Sequence, residues 1–155
     1  MIPNGPDTLI WLINVISPSS FEGQRFHKLA QDLAELNIGV ICCPSAAISL
    51  RQLRSLRSFT HKSIAGVLEL AAAGGFVRIG SDNVCDITSP AGTLDLMEEL
   101  FVLSNAMRFY DIEFLAHLGA RKRIPDPLCK GVKRHLAEDQ AQCEIAVAHY
   151  DQMQV

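Results

Sequence analysis

The sequence predicts an α/β fold of about three parallel strands with flanking helices and a long C-terminal helix. Three observations carry this. Strand-like and helix-like segments alternate along the chain. The run Ile38 to Cys43 is nearly continuous in apolar residues and closed by Pro44, the pattern of a parallel strand buried on both faces. The last segment changes to a polar, helix-period pattern with a narrow apolar seam.

Composition permits such a core. The chain has 155 residues, of which 48% are hydrophobic and 20% charged, enough for one domain and too little charge for disorder. A net charge of −3 gives no global pull toward nucleic acid or acidic lipid. The longest apolar run, Leu9 to Ile13, falls far short of the ~20 residues of a membrane span. Five cysteines (Cys42, Cys43, Cys85, Cys129, Cys143) form an odd set without a Cys-x-x-Cys pair, which argues against a disulfide framework and a zinc ribbon. No basic segment precedes an apolar one at the N-terminus, so a reduced, cytoplasmic protein is expected.

Taken in order, residues 8–17 form an apolar, β-branched run that stops at Pro18 and reads as a strand. Residues 24–37 set Phe26, Leu29, Ala30, Leu33 and Leu36 at helical spacing. The run Ile38 to Cys43, closed by Pro44, is a second strand. Residues 63–73 place Ile64, Val67, Leu68 and Ala71 on one helical face and end at Gly74-Gly75, a natural helix stop. Residues 76–81 read as a short strand. Residues 93–108 form a helix with Thr93 as cap, Asp95, Glu98 and Glu99 near its positive end, and Leu96, Met97, Leu100, Phe101, Ser104 and Met107 inward. A short helix follows from Asp111 to near Gly119. A boundary near residue 121 separates residues 1–120 from a C-terminal extension over 121–155, where 130–152 form one long helix with the seam Leu136, Cys143, Val147 and Tyr150.

In parallel α/β folds the reactive groups sit at the carboxyl ends of strands. Three such places are predicted: Ser17 to Ser20, Pro44-Ser45 with the loop through Thr60-His61, and Gly80-Ser81-Asp82-Asn83. Asp82 follows a strand and a glycine, so it projects toward the mouth of the sheet. There it either caps a turn with Asn83 or holds an ion, since a carboxylate at a buried strand end needs compensation.

The ordered set Pro44-Ser45-Ala46-Ala47-Ile48-Ser49, His61-Lys62-Ser63-Ile64-Ala65, Ala73-Gly74-Gly75 and Gly80-Ser81-Asp82-Asn83 resembles the C-terminal part of the amidohydrolase superfamily, in its cytosine deaminase-like branch. The block from Gly92 to Phe109 resembles the helix after the last barrel strand there, and the likeness runs from about residue 25 to 119. It implies a partial (β/α)₈ (TIM-type) barrel, because a full barrel takes ~250 residues. It also implies a divalent metal, zinc or iron, that activates water against a carbon–nitrogen centre. Asp82 would bind that metal and shuttle the proton, and Asn83 and His61 would meet the substrate. The chain has no His-x-His pair, so most of the expected metal ligands are absent from it.

The resemblance therefore implies a C–N hydrolase or deaminase for a small cyclic amidine or amide, incomplete in this chain. The alternative is a non-catalytic remnant acting as an oligomerising or interaction module. A half-barrel leaves open strand edges, so a homo-oligomer or a complementing chain is the expected partner. The Leu-Arg repeat at Leu50-Arg51, Leu53-Arg54 and Leu56-Arg57 is read as a solvated face, and Cys42-Cys43 as packed strand residues.

Overall fold

The computed structural model describes residues 10–49, 64–87 and 92–153. Three strands, β1 (Ile10–Ile13), β2 (Ile38–Cys42) and β3 (Val77–Ile79), form one parallel sheet in the order β1-β2-β3. Helices α1 (Gly23–Glu35), α2 (Pro44–Ser49), α3 (Val67–Ala72), α4 (Leu96–Met107), α5 (Ile112–Gly119) and α6 (Asp126–Met153) complete the described elements. The predicted α/β class with three parallel strands, flanking helices and a long C-terminal helix is what the chain adopts. None of the helices among the described residues is long and apolar enough to cross a membrane.

Parallel pairing sets the faces. The register joins Trp11 to Gly39, Val40 to Val77, Ile41 to Arg78 and Cys42 to Ile79. Side chains alternate across a strand, so Val40, Cys42, Val77 and Ile79 share one face and enter the core. There they meet Ala30 and Leu33 of α1, Leu70 of α3, Leu103 of α4, Phe114 and Leu118 of α5, and Val132 of α6. On the other face the Trp11 ring lies across Gly39 and reaches the Phe76 ring, with centroids 5.3 Å apart. Arg78 stacks over the same indole at 4.1 Å.

Several element ends differ from the sequence reading, each for a local reason. The first strand stops at Ile13, because Asn14 and Val15 adopt φ of 67° and 43°, and Ser17–Ser20 form a 3-10 turn. Left-handed backbone is tolerable for Asn and strained for a β-branched Val. Helix α1 closes at Glu35, which leaves Leu36 outside the buried stripe and exposed. The segment after Pro44, expected as a loop, is helical. Helix α3 ends as predicted at Gly74-Gly75. Gly74 takes φ 82° and both amides fold back onto carbonyls of the helix.

The cap of α4 is Asp95 and not Thr93. The Asp95 carboxylate accepts the Met97 amide at 2.8 Å, while the Thr93 hydroxyl accepts the Asp95 amide. The inward face of α4 is Glu99, Leu100, Leu103 and Ser104, whereas Met97 and Phe101 are each 70% exposed. The apolar stripe is thus rotated from the predicted one. Asp111 caps α5 through the Phe114 amide at 2.9 Å. In α6 only the first turns dock: Val132 is fully buried, Leu128 and Leu136 pack on the core, and Cys143, Val147 and Tyr150 are exposed. The expected seam therefore splits. Helix α6 starts at Asp126, ahead of the expected residue 130, because a proline such as Pro127 is favoured in a first helical turn.

A side chain at position 39 would collide with the Trp11 ring, since a Cβ there falls 2.5 Å from a ring carbon. Gly39→Val is expected to destabilise the chain by about 1–3 kcal/mol and to red-shift the fluorescence of Trp11. Urea unfolding followed by that fluorescence measures both.

Candidate functional site

Parallel strands bring their carboxyl ends to one rim. The residues that follow them are Asn14 after β1, Cys43 and Ser45 after β2, and Gly80 to Asp82 after β3. The ladder is extended by one bond on each side of β2. The Asn14 amide donates to the Ile41 carbonyl at 2.8 Å, and the Gly80 amide to the Cys42 carbonyl at 2.9 Å. The chain then turns sharply on both flanks, with Asn14 and Asp82 both left-handed.

These turns aim two side chains at each other. The Asn14 Nδ2 donates to Asp82 Oδ2 at 3.0 Å, across the end of the central strand and 68 positions apart in sequence. The Asn14 Oδ1 is buried and has no hydrogen-bond partner. Asp82 itself is exposed. Its carboxylate is thus neither free in water nor wholly occupied, because one amide holds it by one oxygen.

Beneath this pair lie two thiols and a second carboxylate. Glu99 of α4 is 1% exposed, and its Oε2 accepts the Ser45 amide at 3.0 Å, satisfying an unpaired donor at the start of α2. Cys43 is buried beside both acids. Its thiol is pushed up to about 11, chiefly by burial and then by the Asp82 and Glu99 carboxylates, with a backbone hydrogen bond from Asp82 working against them. Cys42 is likewise pushed up to about 12, chiefly by burial, with Cys43 and Glu99 contributing and a backbone hydrogen bond from Ala65 opposing. Both cysteines are packed and protonated; Cys42 is a strand residue, as the sequence suggested, and Cys43 lies just past the strand end.

The predicted site residues fare differently. Asp82 is where the sequence placed it, at the rim beyond β3. Asn83 follows it, half-buried, in the same loop. His61, like the Leu-Arg repeat, lies outside the described residues. Asn14 and Glu99 were not foreseen as rim groups. Asn14 signalled itself only as the polar break in an apolar run. Glu99 had been assigned to the positive end of its own helix, yet its spacing from Leu96 and Leu103 places it in the buried stripe.

Among the described residues no group of three or more His, Cys, Asp or Glu side chains could hold a metal ion. A zinc centre needs at least three protein ligands. Asp82 with one oxygen bound to an amide, a protonated thiol, and a Glu99 committed to Ser45 do not fit one. A cavity of about 330 Å³, lined in part by Phe21, Phe26, Glu69, Met107 and His135, lies among the helices. Asn14, Cys43, Asp82 and Glu99 take no part in it.

No known family profile matches the chain, and no curated protein matches it. Among solved structures it is similar to the crystal structure of 5-methylcytosine deaminase from Klebsiella pneumoniae liganded with 5-fluorocytosine. The TM-score is 0.62 at 19% identity, over 70% of this chain and 27% of that chain. The present chain thus spans about a quarter of the length of that protein. Likeness at this identity speaks to the fold, and the neighbour is a TIM-barrel deaminase. The sheet and its helices have the architecture of part of a (β/α)₈ barrel.

Thiol labelling checks the rim. Cys85 and Cys143 are exposed and are expected to react with an alkylating reagent at pH 8 in minutes, whereas Cys42 and Cys43 react only on unfolding. Both buried thiols are raised from the ordinary 9.0. Their contribution to stability is therefore fully present below pH 9 and is lost as pH rises through about 11 and 12. Urea midpoints are expected to fall across that window, less steeply in Cys43→Ala than in the unmodified chain.

Proposed function

We propose that the chain supplies part of the barrel of a hydrolase or deaminase acting on C–N bonds other than peptide bonds, in a small cyclic amidine or amide such as a nucleobase. The observation that carries this reading is the position of Asp82. It stands exposed at the carboxyl rim of a parallel sheet, with one oxygen accepting from Asn14. A carboxylate so held can accept a proton from a water attacking a substrate above the rim. Asn83, next in the loop, and His61 are the substrate-binding candidates. The fold likeness to a deaminase supports the reaction class.

A divalent metal, zinc or iron, belongs to this reading as the activator of water. The described residues do not assemble its ligands, so the reading requires further ligands from beyond them or from a complementing chain. A small-molecule substrate and a cytoplasmic setting complete it.

A second reading, a non-catalytic module that acts by association, is favoured by the same lack of a three-ligand group among the described residues. Elemental analysis of the purified chain separates the two. Stoichiometric zinc or iron, with ammonia release from cytosine or 5-methylcytosine, is expected for the hydrolase. In that case Asp82→Ala abolishes ammonia release, while losing the Asn14 hydrogen bond at a left-handed position lowers the melting temperature by only about 2–4 °C. A metal-free, inactive chain sinks the reading in which this chain alone holds the metal and catalyses, and leaves a complementing chain or the association module.

A further inference from the structure

The cavity of about 330 Å³ among the helices is built from residues distant in sequence. The segment after β1 brings Phe21 to it, α1 brings Phe26 and α3 brings Glu69. The end of α4 adds Met107, and α6 adds His135 and Asp139. All of these walls belong to described residues. A volume of this size suits a small organic molecule. Phe26 is buried, and Phe21, Met107 and His135 are half-buried. The Phe109 ring backs the His135 ring, with centroids 4.9 Å apart. The body of the cavity is therefore apolar and aromatic.

Its carboxylates are unopposed. Glu69 and Asp139 both line it, and among the described residues no lysine or arginine does. Arg25 lies over the Phe21 ring at 3.7 Å without joining the lining. Gly66 accounts for the place of Glu69. A Cβ at position 66 would fall 2.8 Å from Glu69 Oε2 and 2.6 Å from a carbon of the Phe26 ring, so the missing side chain lets carboxylate and ring approach one spot. Those two groups together hold an organic cation, the first through a charge-assisted hydrogen bond and the second through its ring quadrupole. Asp139 is placed by helix period. It stands one turn beyond His135, on the face of α6 that carries the docked Val132 and Leu136. An acid thus occupies the seam where it leaves the core.

We propose that this cavity binds a small organic cation, an ammonium group on an aromatic body, with Glu69 as its principal anion, Phe26 as its ring partner and Asp139 on its exposed side. An organic anion is repelled by the same two carboxylates, and a neutral molecule of equal size forgoes their attraction. The site uses none of Asn14, Cys43, Asp82 or Glu99, so it goes beyond the hydrolase reading and does not require it.

The probe is phenethylammonium, titrated into the full chain with isotope-labelled methionine methyls and followed by nuclear magnetic resonance. Met107 lines the cavity, whereas Met97 of the same helix is 70% exposed. The ring of the probe is expected to shift the Met107 signal and leave that of Met97 in place. A dissociation constant of about 0.1–3 mM is expected for a ligand of this size. Neutral phenethyl alcohol binds at least about fivefold more weakly, and anionic phenylacetate more weakly still. Glu69→Gln weakens the amine at least about fivefold and leaves the alcohol within about twofold. A Met107 signal unmoved by about 10 mM amine, well above that range, overturns the proposal. So does an alcohol that binds as tightly as the amine, or an amine indifferent to Glu69→Gln. Circular dichroism checks the variant for folding. Should Glu69→Gln unfold the chain, Asp139→Asn decides the matter at an exposed position: an amine bound about twofold or more weakly supports the site, and an unchanged affinity overturns it.

Discussion

The parallel hydrogen bonding of three short strands is the constraint on which everything else depends. Parallel strands cannot be joined by tight hairpins, so the chain returns through helices between β1, β2 and β3. The same direction gathers three carboxyl ends at one rim. Asn14 and Asp82, distant in sequence, meet there only because β2 lies between their strands with a fixed register. A slip of one residue would turn Val40 and Val77 out of the core and break that meeting.

Packing treats the two faces of the sheet unequally. Toward the helices, fully buried Leu70, Leu103, Phe114, Leu118 and Val132 close on the strands, and the edge-to-face pair Phe109–Phe114, 5.2 Å between centroids, extends the contact. Away from the helices, Gly39 leaves a channel in which the indole of Trp11 spans β2 to reach Phe76, and Arg78 covers it. Among the described residues that face is covered by two rings and a guanidinium and not by a second layer. It is the interior surface of a barrel drawn with only three strands, which ties the fold to both the catalytic and the associative reading.

Burial also decides the chemistry of the rim. Cys42 and Cys43, which could have been soft ligands, are held as neutral thiols by desolvation and by the nearby acids. Glu99 accepts the part-buried amide at the start of α2 and so joins α4 to α2. Asp82 is exposed and held through one oxygen by Asn14. The rim is thus a place where a single carboxylate is positioned with care and the usual metal ligands do not assemble among the described residues.

Sequence by itself determined the class of fold. Apolar runs closed by Pro44 and Gly80 marked strands, 3.6-residue spacing marked α1 and α3, and Gly74-Gly75 marked a stop, because these signals arise from short-range sterics and periodicity that act on a few neighbouring residues. It also placed Asp82 after a strand. Only tertiary structure decided that Asn14 holds Asp82, that Glu99 belongs to the core, that Met97 and Phe101 face outward, and that the far half of α6 stays undocked. Each of these depends on which surfaces meet across many tens of residues, and no local pattern encodes that distance.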